Sequence, residues 1–195
     1  MNMDEIVKQA LAKWPNVPHC TGWLLLDRRG QWRMRDEAAQ AAGALGDAIR
    51  HEALIGFINR NYEHDADGQW FFQNGPQRVY VELAYTPWIV RLAMSDGALR
   101  LTDQTGARFE PAHAWLDNEG GLLFSDDASP PRVAALHDHD LDLFSSHASF
   151  DDAARGGVFH WRDDVDMPLQ AIERAEVETR FGFVASPATR ASSER

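Results

Sequence analysis

A helix followed at once by a β-hairpin is the sequence feature that most restricts the fold of this chain. From Ile49 to Tyr62, apolar residues recur at spacings of three and four, which places them on one face of a helix with Asp47 as its N-cap. Asp67-Gly68 then forms a turn before two apolar runs, Gln69 to Gln73 and Arg78 to Leu83. The helix must bury its apolar face, and the hairpin is its nearest partner.

The two strands of this hairpin differ in pattern. The second strand alternates, so that Arg78, Tyr80 and Glu82 share one face and the intervening apolar residues share the other. The first strand has three consecutive aromatic residues, Trp70 to Phe72, which place bulky rings on both faces. One face packs on the helix. The other is either covered by a second layer, which is the more frequent arrangement, or is an exposed aromatic patch that binds something.

Short elements separated by turns make up the rest of the chain. We predict a helix from Asp4 to Trp14, a hairpin whose turn is Asp27 to Gly30, and a helical turn from Asp36 to Ala42. After Met94, short strands dominate. The stretch from Leu169 to Phe181 is predicted to begin as a helix and to finish as a strand.

The predicted fold class is α+β. It consists of antiparallel sheets or partly open barrels in two small domains of repeated motifs, with a few short helices. The predicted boundaries give an N-terminal α+β domain at 1–92, a mostly β domain at 93–186 and a flexible tail at 187–195, because the residues after Ser186 are small and polar.

The hairpin motif occurs twice. The segment from Asp67 to Phe72, followed by Arg78-Val79, matches the segment from Glu119 to Phe124, followed by Arg132-Val133. A duplication explains this match, but so does the general preference of hairpins for a glycine in the turn and an aromatic residue after it.

The first half of the chain carries a family resemblance. Its residues are Pro18, Gly22-Trp23, Gly30, Trp32, the helix from Ile49 to Tyr62, Gly68 to Phe72, Arg78 to Val81 and Pro87. In these motifs the sequence resembles a family of proteobacterial proteins of unknown function. The second half matches only as alternating strands, and the connection from Met34 to Gly46 is longer than in those relatives. The resemblance implies two small α+β domains of repeated motifs and a role in ligand binding or signal transduction. It implies no catalytic residue.

Composition excludes several classes of protein. The formal net charge of −11 argues against a general affinity for nucleic acid or anionic membrane. Cys20 is the only cysteine, so an intramolecular disulfide is excluded. The N-terminal segment has no continuous apolar stretch of the secretory type, and no run approaches the ~20 apolar residues of a membrane span. A cytoplasmic protein is therefore expected.

A metal site is one candidate for chemistry. In an extended segment His137 and His139 share a face, and this spacing can hold a divalent metal. A third ligand would have to come from elsewhere, and the sequence offers His147, His160, Asp163 and Asp164. The alternative is a solvated turn between two leucines. Because no G-x-S-x-G, P-loop or G-x-G-x-x-G motif occurs, the sequence predicts neither a catalytic residue nor a cofactor, and it leaves open whether the protein is an enzyme.

An anion site is the second candidate. Arg78 and Arg132 open equivalent strands of the repeated motif, and Arg78 shares a face with Tyr80. The Arg78 guanidinium either pairs with Glu82 or lies between Tyr80 and an aromatic residue of the next strand, where it offers a fixed fork to a carboxylate or phosphate. We therefore predict ligand-binding residues Arg78, Tyr80, Trp70 and Arg132.

The function that these residues favour is a non-enzymatic small-ligand-binding or regulatory module. Its partner would be a small anionic ligand or another protein. The alternative is a metal-dependent enzyme that uses His137 and His139. The sequence predicts no oligomeric state.

Overall fold

The α+β class is confirmed by a computed structural model that describes residues 3–151, 156–162 and 164–193. The helices are α1 (Glu5–Lys13), α2 (Glu37–Ala41), α3 (Glu52–Arg60), α4 (Leu141–Ser146), α5 (Val177–Phe181) and α6 (Pro187–Ser193). The first seven strands are β1 (Cys20–Leu26), β2 (Trp32–Met34), β3 (Asp47–Ala48), β4 (Tyr62–His64), β5 (Trp70–Asn74), β6 (Gln77–Leu83) and β7 (Trp88–Ser95). The others are β8 (Ala98–Asp103), β9 (Arg108–Phe109), β10 (His113–Asp117), β11 (Leu122–Ser125), β12 (Val133–Leu136), β13 (Ala148–Phe150), β14 (Gly157–Arg162) and β15 (Val165–Ile172). Among the described residues, no helix has the length and apolar character needed to cross a membrane.

The chain divides into two compact units. The described part of the first unit comprises residues 3–27, 31–85 and 183–193. The second unit comprises residues 28–30 and 86–182, and within it the structure does not describe 152–155 and 163. A C-terminal segment therefore belongs to the first unit although it follows the second in sequence.

The first unit is built on a six-stranded mixed sheet covered on both faces. Its strand order is β3-β2-β1-β6-β5-β4, in which β1 and β6 are parallel and the other neighbours are antiparallel. On one face, Phe57 of α3 packs edge-on against Phe72 at 5.3 Å, and Asn59 accepts a hydrogen bond from the Trp32 indole. On the other face, residues 183–193 cover Glu82, whose carboxylate accepts hydrogen bonds from Ser186 and from the Ala188 amide.

The second unit contains a nine-stranded mixed sheet, in the order β13-β14-β15-β10-β11-β12-β7-β8-β9. Its core lies on the face that α4 covers. There Phe144 stacks on Phe159 at 4.5 Å, and Phe124 contacts both rings. All three side chains are fully buried, so this aromatic cluster anchors α4 to the sheet.

Six strands follow the same order in both sheets. Read from the β9 edge, the second sheet begins β9-β8-β7-β12-β11-β10, which matches β3-β2-β1-β6-β5-β4 of the first sheet. The central parallel pair β7 and β12 corresponds to the parallel pair β1 and β6. The turns from β4 to β5 and from β10 to β11 also correspond. In each, an aspartate carboxylate (Asp65 or Asp117) accepts a hydrogen bond from the amide four residues later, across a glycine with positive φ. This shared geometry supports the sequence match between the two hairpins.

The predicted start of the helix from Ile49 to Tyr62, with Asp47 as its N-cap, is wrong. Asp47 and Ala48 form β3 and pair with β2, and α3 begins only at Glu52, with His51 accepting a hydrogen bond from the Leu54 amide. Long-range strand pairing here overrides the local preference of an aspartate for an N-cap. The helix therefore buries only Ile58 fully, while Phe57 is half-buried.

Two further predictions about the C-terminal region differ from the structure. The stretch from Leu169 to Phe181 is a strand first and a helix second, because Leu169 to Ile172 pair in parallel with β10 and Gly182 ends α5 in the left-handed region. Residues 187–193 of the predicted tail form α6 against the first sheet.

Candidate functional site

Arg78 and Tyr80 lie side by side on one face of the first sheet. The Arg78 guanidinium carbon is 4.3 Å from the centre of the Phe71 ring, and Phe71 is the cross-strand partner of Tyr80. The Tyr80 hydroxyl donates a hydrogen bond to Asp65 at 3.1 Å. Burial raises the pKa of Tyr80, the Arg78 guanidinium opposes this rise, and Asp65 adds to it. The arrangement is the aromatic alternative rather than an Arg78 pair with Glu82, whose carboxylate binds Ser186 and Ala188.

Trp70, a third predicted ligand residue, does not lie beside Arg78 and Tyr80. Trp70 lies on the opposite face of the same sheet, where its ring is 4.7 Å from that of Tyr62 and 5.0 Å from that of His64. Arg132 belongs to the second unit. It donates to Asp126 at 2.6 Å, and its guanidinium stacks over Phe109 at 5.0 Å.

The segment that holds His137 and His139 is not extended as predicted: His137 is the N-cap of a 3₁₀ turn, Asp138–Asp140, and its ring lies 4.7 Å from that of His139. His137 Nδ1 accepts a hydrogen bond from the His139 amide at 3.1 Å, so this nitrogen caps the turn. Burial, with a further contribution from Arg91, holds the pKa of His137 below its ordinary value. Asp163, one proposed third ligand, lies outside the described residues. Within the described ranges, no group of three His, Cys, Asp or Glu side chains could hold a metal ion.

Asp140, at the end of the same turn, binds β7. Its carboxylate accepts two hydrogen bonds from Arg91, at 2.6 and 2.9 Å, and one from the Leu92 amide at 2.9 Å. Burial by itself raises the pKa of Asp140, but these hydrogen bonds outweigh it and leave the pKa below its usual value. The turn is therefore held to the sheet by a buried charge with its partners in place.

A cleft of about 450 Å³ opens in the second unit on the sheet face opposite the phenylalanine cluster. Its lining residues are His113, Trp115, Ser125, Asp126, Asp127, Ala128, Pro131, Gln170, Arg180 and Phe181. The floor is Trp115, whose indole donates a hydrogen bond to the Ser125 hydroxyl at 3.1 Å and meets Phe181 edge-on at 5.7 Å. A hydrocarbon or ring of a ligand would therefore find an apolar floor with hydrogen-bonding groups beside it.

Arg180 is the principal positive charge of this cleft. Its guanidinium carbon lies 4.4 Å from the centre of the Trp115 ring, and it forms no ion pair with any carboxylate in the described part of the chain. Asp126 is neutralised by Arg132, and Asp127, which is largely exposed, is 3.7 Å from His113. The cleft thus combines a stacked guanidinium that lacks an anion with acidic groups that already have basic neighbours.

The sequence prediction missed Arg180 because it placed this residue in a strand. In the structure Val177 and Phe181 lie one helical turn apart and are both buried, which leaves Arg180 beside Phe181 at the rim of the cleft. The signal that could have revealed this was Gly182, a residue that commonly ends a helix in the left-handed conformation.

Comparison with known proteins gives a family and no activity. The profile of a family described as "Protein of unknown function (DUF2946)" matches residues 3–188. No curated protein matches the chain. A DUF1285 family protein from Silicibacter pomeroyi DSS-3 has 15% sequence identity and a TM-score of 0.46, covering 91% of this chain and 100% of its own. A DUF1285 family protein from Shewanella baltica OS155 has 11% identity and a TM-score of 0.39, covering 64% of this chain and 91% of its own.

Proposed function

We propose that this chain, which belongs to the family of proteins of unknown function that matches residues 3–188, is a small-ligand-binding or regulatory module that holds an anionic ligand in the cleft beside Arg180. One observation carries the proposal. The Arg180 guanidinium stacks on Trp115 at the edge of a cavity of about 450 Å³ and has no acidic partner among the described residues. Arg132 and Arg162 also stack on aromatic rings, but each of them pairs with a carboxylate.

The chemistry of the cleft favours a carboxylate or phosphate attached to an apolar group. A guanidinium presents parallel N–H donors that match the two oxygens of such an anion, and stacking on an indole reduces the freedom that it loses on binding. The apolar part of the ligand would lie over Trp115 and Phe181, and Ser125 and Gln170 would supply hydrogen bonds. A cavity of this size suits a small metabolite.

Arg78 is the alternative position for the same anion. It also stacks on an aromatic ring, but the Asp65 carboxylate lies 3.1 Å from the neighbouring Tyr80 hydroxyl. An anion bound there would lie near the Asp65 carboxylate and be repelled by it, whereas the acidic residues of the cleft, Asp126 and Asp127, have Arg132 and His113 as basic neighbours. The net charge of −11 remains the reason for expecting neither nucleic acid nor an anionic membrane as a partner.

The test begins with native mass spectrometry of protein taken directly from cells, followed by a thermal-shift screen against common anionic metabolites and nucleotides. For the anion that stabilises most, Arg180→Lys keeps the charge and loses the fork, and it should weaken binding about tenfold, equivalent to about 1.4 kcal/mol. Arg162→Lys is the matched control, because Arg162 also stacks on a tryptophan but pairs with Glu110. The affinity of Arg162→Lys for the same anion should stay within about twofold of that of the parent protein.

Two outcomes would overturn this proposal. If no retained ligand is found and no anion stabilises the protein, the binding function is wrong. If Arg78→Lys rather than Arg180→Lys weakens the binding, the ligand lies on the first sheet and the cleft has been assigned incorrectly.

A further inference from the structure

Three polar side chains on neighbouring strands of the second unit form a continuous hydrogen-bonded series. Ser149 lies on β13, His160 on β14 and Asp166 on β15. The Ser149 Oγ is 3.1 Å from His160 Nε2, and His160 Nδ1 is 2.7 Å from an oxygen of Asp166. His160 and Asp166 are direct cross-strand partners, so the register of the sheet sets their separation.

The hydrogen-bond roles in this series follow from the chemistry of the groups. An ionised carboxylate only accepts hydrogen bonds, so the proton of a neutral His160 must lie on Nδ1, facing Asp166. The Nε2 lone pair then faces Ser149, and the serine hydroxyl donates to it. This is the protonation pattern that a general base needs in order to remove a proton from a serine.

We propose that Ser149 is a nucleophile that accepts an acyl group from an activated ester or thioester, with His160 as its general base and Asp166 as a positioning residue. Ser149 Oγ bonds to the acyl carbon while its proton passes to His160 Nε2. The tetrahedral adduct then expels the alcohol or thiol, which takes that proton from Nε2, and an acyl-serine remains. Water, deprotonated by the same nitrogen, releases the acid and restores the serine.

The solvent exposure of Ser149, His160 and Asp166 determines how fast the acyl transfer proceeds. Ser149 is exposed, and the His160 and Asp166 side chains are 48% and 65% exposed, so a small ester reaches the serine without any opening motion. Water also surrounds the developing oxyanion, and it stabilises this charge less well than a preorganised site does. We therefore expect acylation that is readily detected with an activated ester, followed by slow turnover.

The experiment uses the full chain, excess p-nitrophenyl acetate and, separately, a fluorophosphonate probe. Release of p-nitrophenolate gives the rate, and peptide mass spectrometry locates the modification. We expect the label on Ser149, its loss in Ser149→Ala, and labelling at least about tenfold slower in His160→Gln. Asp166→Asn should also slow labelling, and Asp166→Glu should recover part of the rate. Such a rescue is not expected if Asp166 only supports the fold.

Ser146 provides a matched control within the same unit. Its hydroxyl is 3.0 Å from His147 Nδ1, but that nitrogen also lies 3.0 Å from the Leu143 carbonyl oxygen rather than facing a carboxylate. Ser146 should remain unlabelled, and Ser146→Ala should label like the parent. Equal rates in the parent and in folded His160→Gln, or a label distributed over other residues and absent from Ser149, would overturn the proposal.

Discussion

Removal of the Asp140 carboxylate should destabilise the protein far more than removal of Asp138, two residues earlier in the same turn. Each aspartate receives a 2.6 Å hydrogen bond from an arginine that is just over half exposed. The carboxylates differ in burial: the Asp140 side chain is 9% exposed and that of Asp138 is 50% exposed. Asp140 alone also accepts a hydrogen bond from a buried backbone amide, that of Leu92.

The expected magnitudes follow from these partners. Asp140→Ala leaves the Leu92 amide buried without an acceptor, which costs about 1–3 kcal/mol. It also removes the Arg91 pair, but water can solvate the exposed guanidinium, so this loss adds only about 0.5–1 kcal/mol. The total is about 1.5–4 kcal/mol for Asp140→Ala, against less than about 1 kcal/mol for Asp138→Ala. Asp140→Asn retains one acceptor oxygen and should recover part of the loss.

Urea unfolding of the parent and the three variants at pH 7 measures these differences. The measurement should then be repeated at lower pH. The folded-state pKa of Asp140 lies below its usual value, so its contribution is complete above the unfolded-state pKa and is lost as the pH falls through the folded-state pKa. The gap between the parent and Asp140→Ala should therefore narrow in acid. Equal costs for Asp140→Ala and Asp138→Ala at pH 7 would refute the argument from burial.

Three further predictions concern the core, a turn and a titrating histidine. In thermal or urea unfolding, Ile58→Ala should lower the free energy of unfolding by about 3 kcal/mol and Phe57→Ala by about 1.5 kcal/mol, because Ile58 is fully buried and Phe57 only partly. A larger loss for Phe57→Ala would contradict this packing. Gly46→Ala should lower the free energy of unfolding by roughly 3 kcal/mol or more, because a Cβ at this position would overlap a carbonyl oxygen of β2. Gly43→Ala, also at positive φ but with open space around it, should lower it by only about 1 kcal/mol. Similar losses in the two variants would show that steric overlap does not matter. Burial lowers the folded-state pKa of His137, so the stability that this residue contributes is present above the ordinary histidine pKa of 6.5 and is lost as the pH falls through the folded-state pKa. The variant His137→Asn keeps a capping acceptor but does not titrate, so its free energy of unfolding should fall less than that of the parent between about pH 7 and pH 5. An unchanged pH profile would contradict this prediction.

Local signals were enough to predict the hairpins of this protein. Asp65 and Gly68 specify a tight turn through a side-chain acceptor and a positive φ, and both requirements are visible in four residues of sequence. The consecutive aromatic residues from Trp70 to Phe72 were correctly expected to be buried on both faces of a covered sheet. The parallel pairing of β1 with β6 was not predictable in this way, because it joins segments more than fifty residues apart and no turn connects them.

The candidate sites differ in the same way: local patterns predict some of their residues, and tertiary contacts determine the others. Strand alternation placed Arg78 and Tyr80 together, as the structure does, because a period of two is a local property. It could not place Arg180, since the residues from Val177 to Phe181 read as a strand by alternation and fold as a helix under tertiary packing. Nor could it bring Ser149 to His160, because their contact depends on which strands become neighbours.

The placement of residues 183–193 in the first unit has a consequence for the order in which the protein matures on the ribosome. This segment forms a strand-like bridge between Val184 and Gln69, and its Ala185 carbonyl oxygen accepts a hydrogen bond from the Leu83 amide. It also supplies the donors that bind the Glu82 carboxylate. All of it is translated after the whole of the second unit. The unit that begins to emerge first is therefore completed last, and until then one face of its sheet, including a carboxylate that is buried in the finished protein, remains open to water and to chaperones.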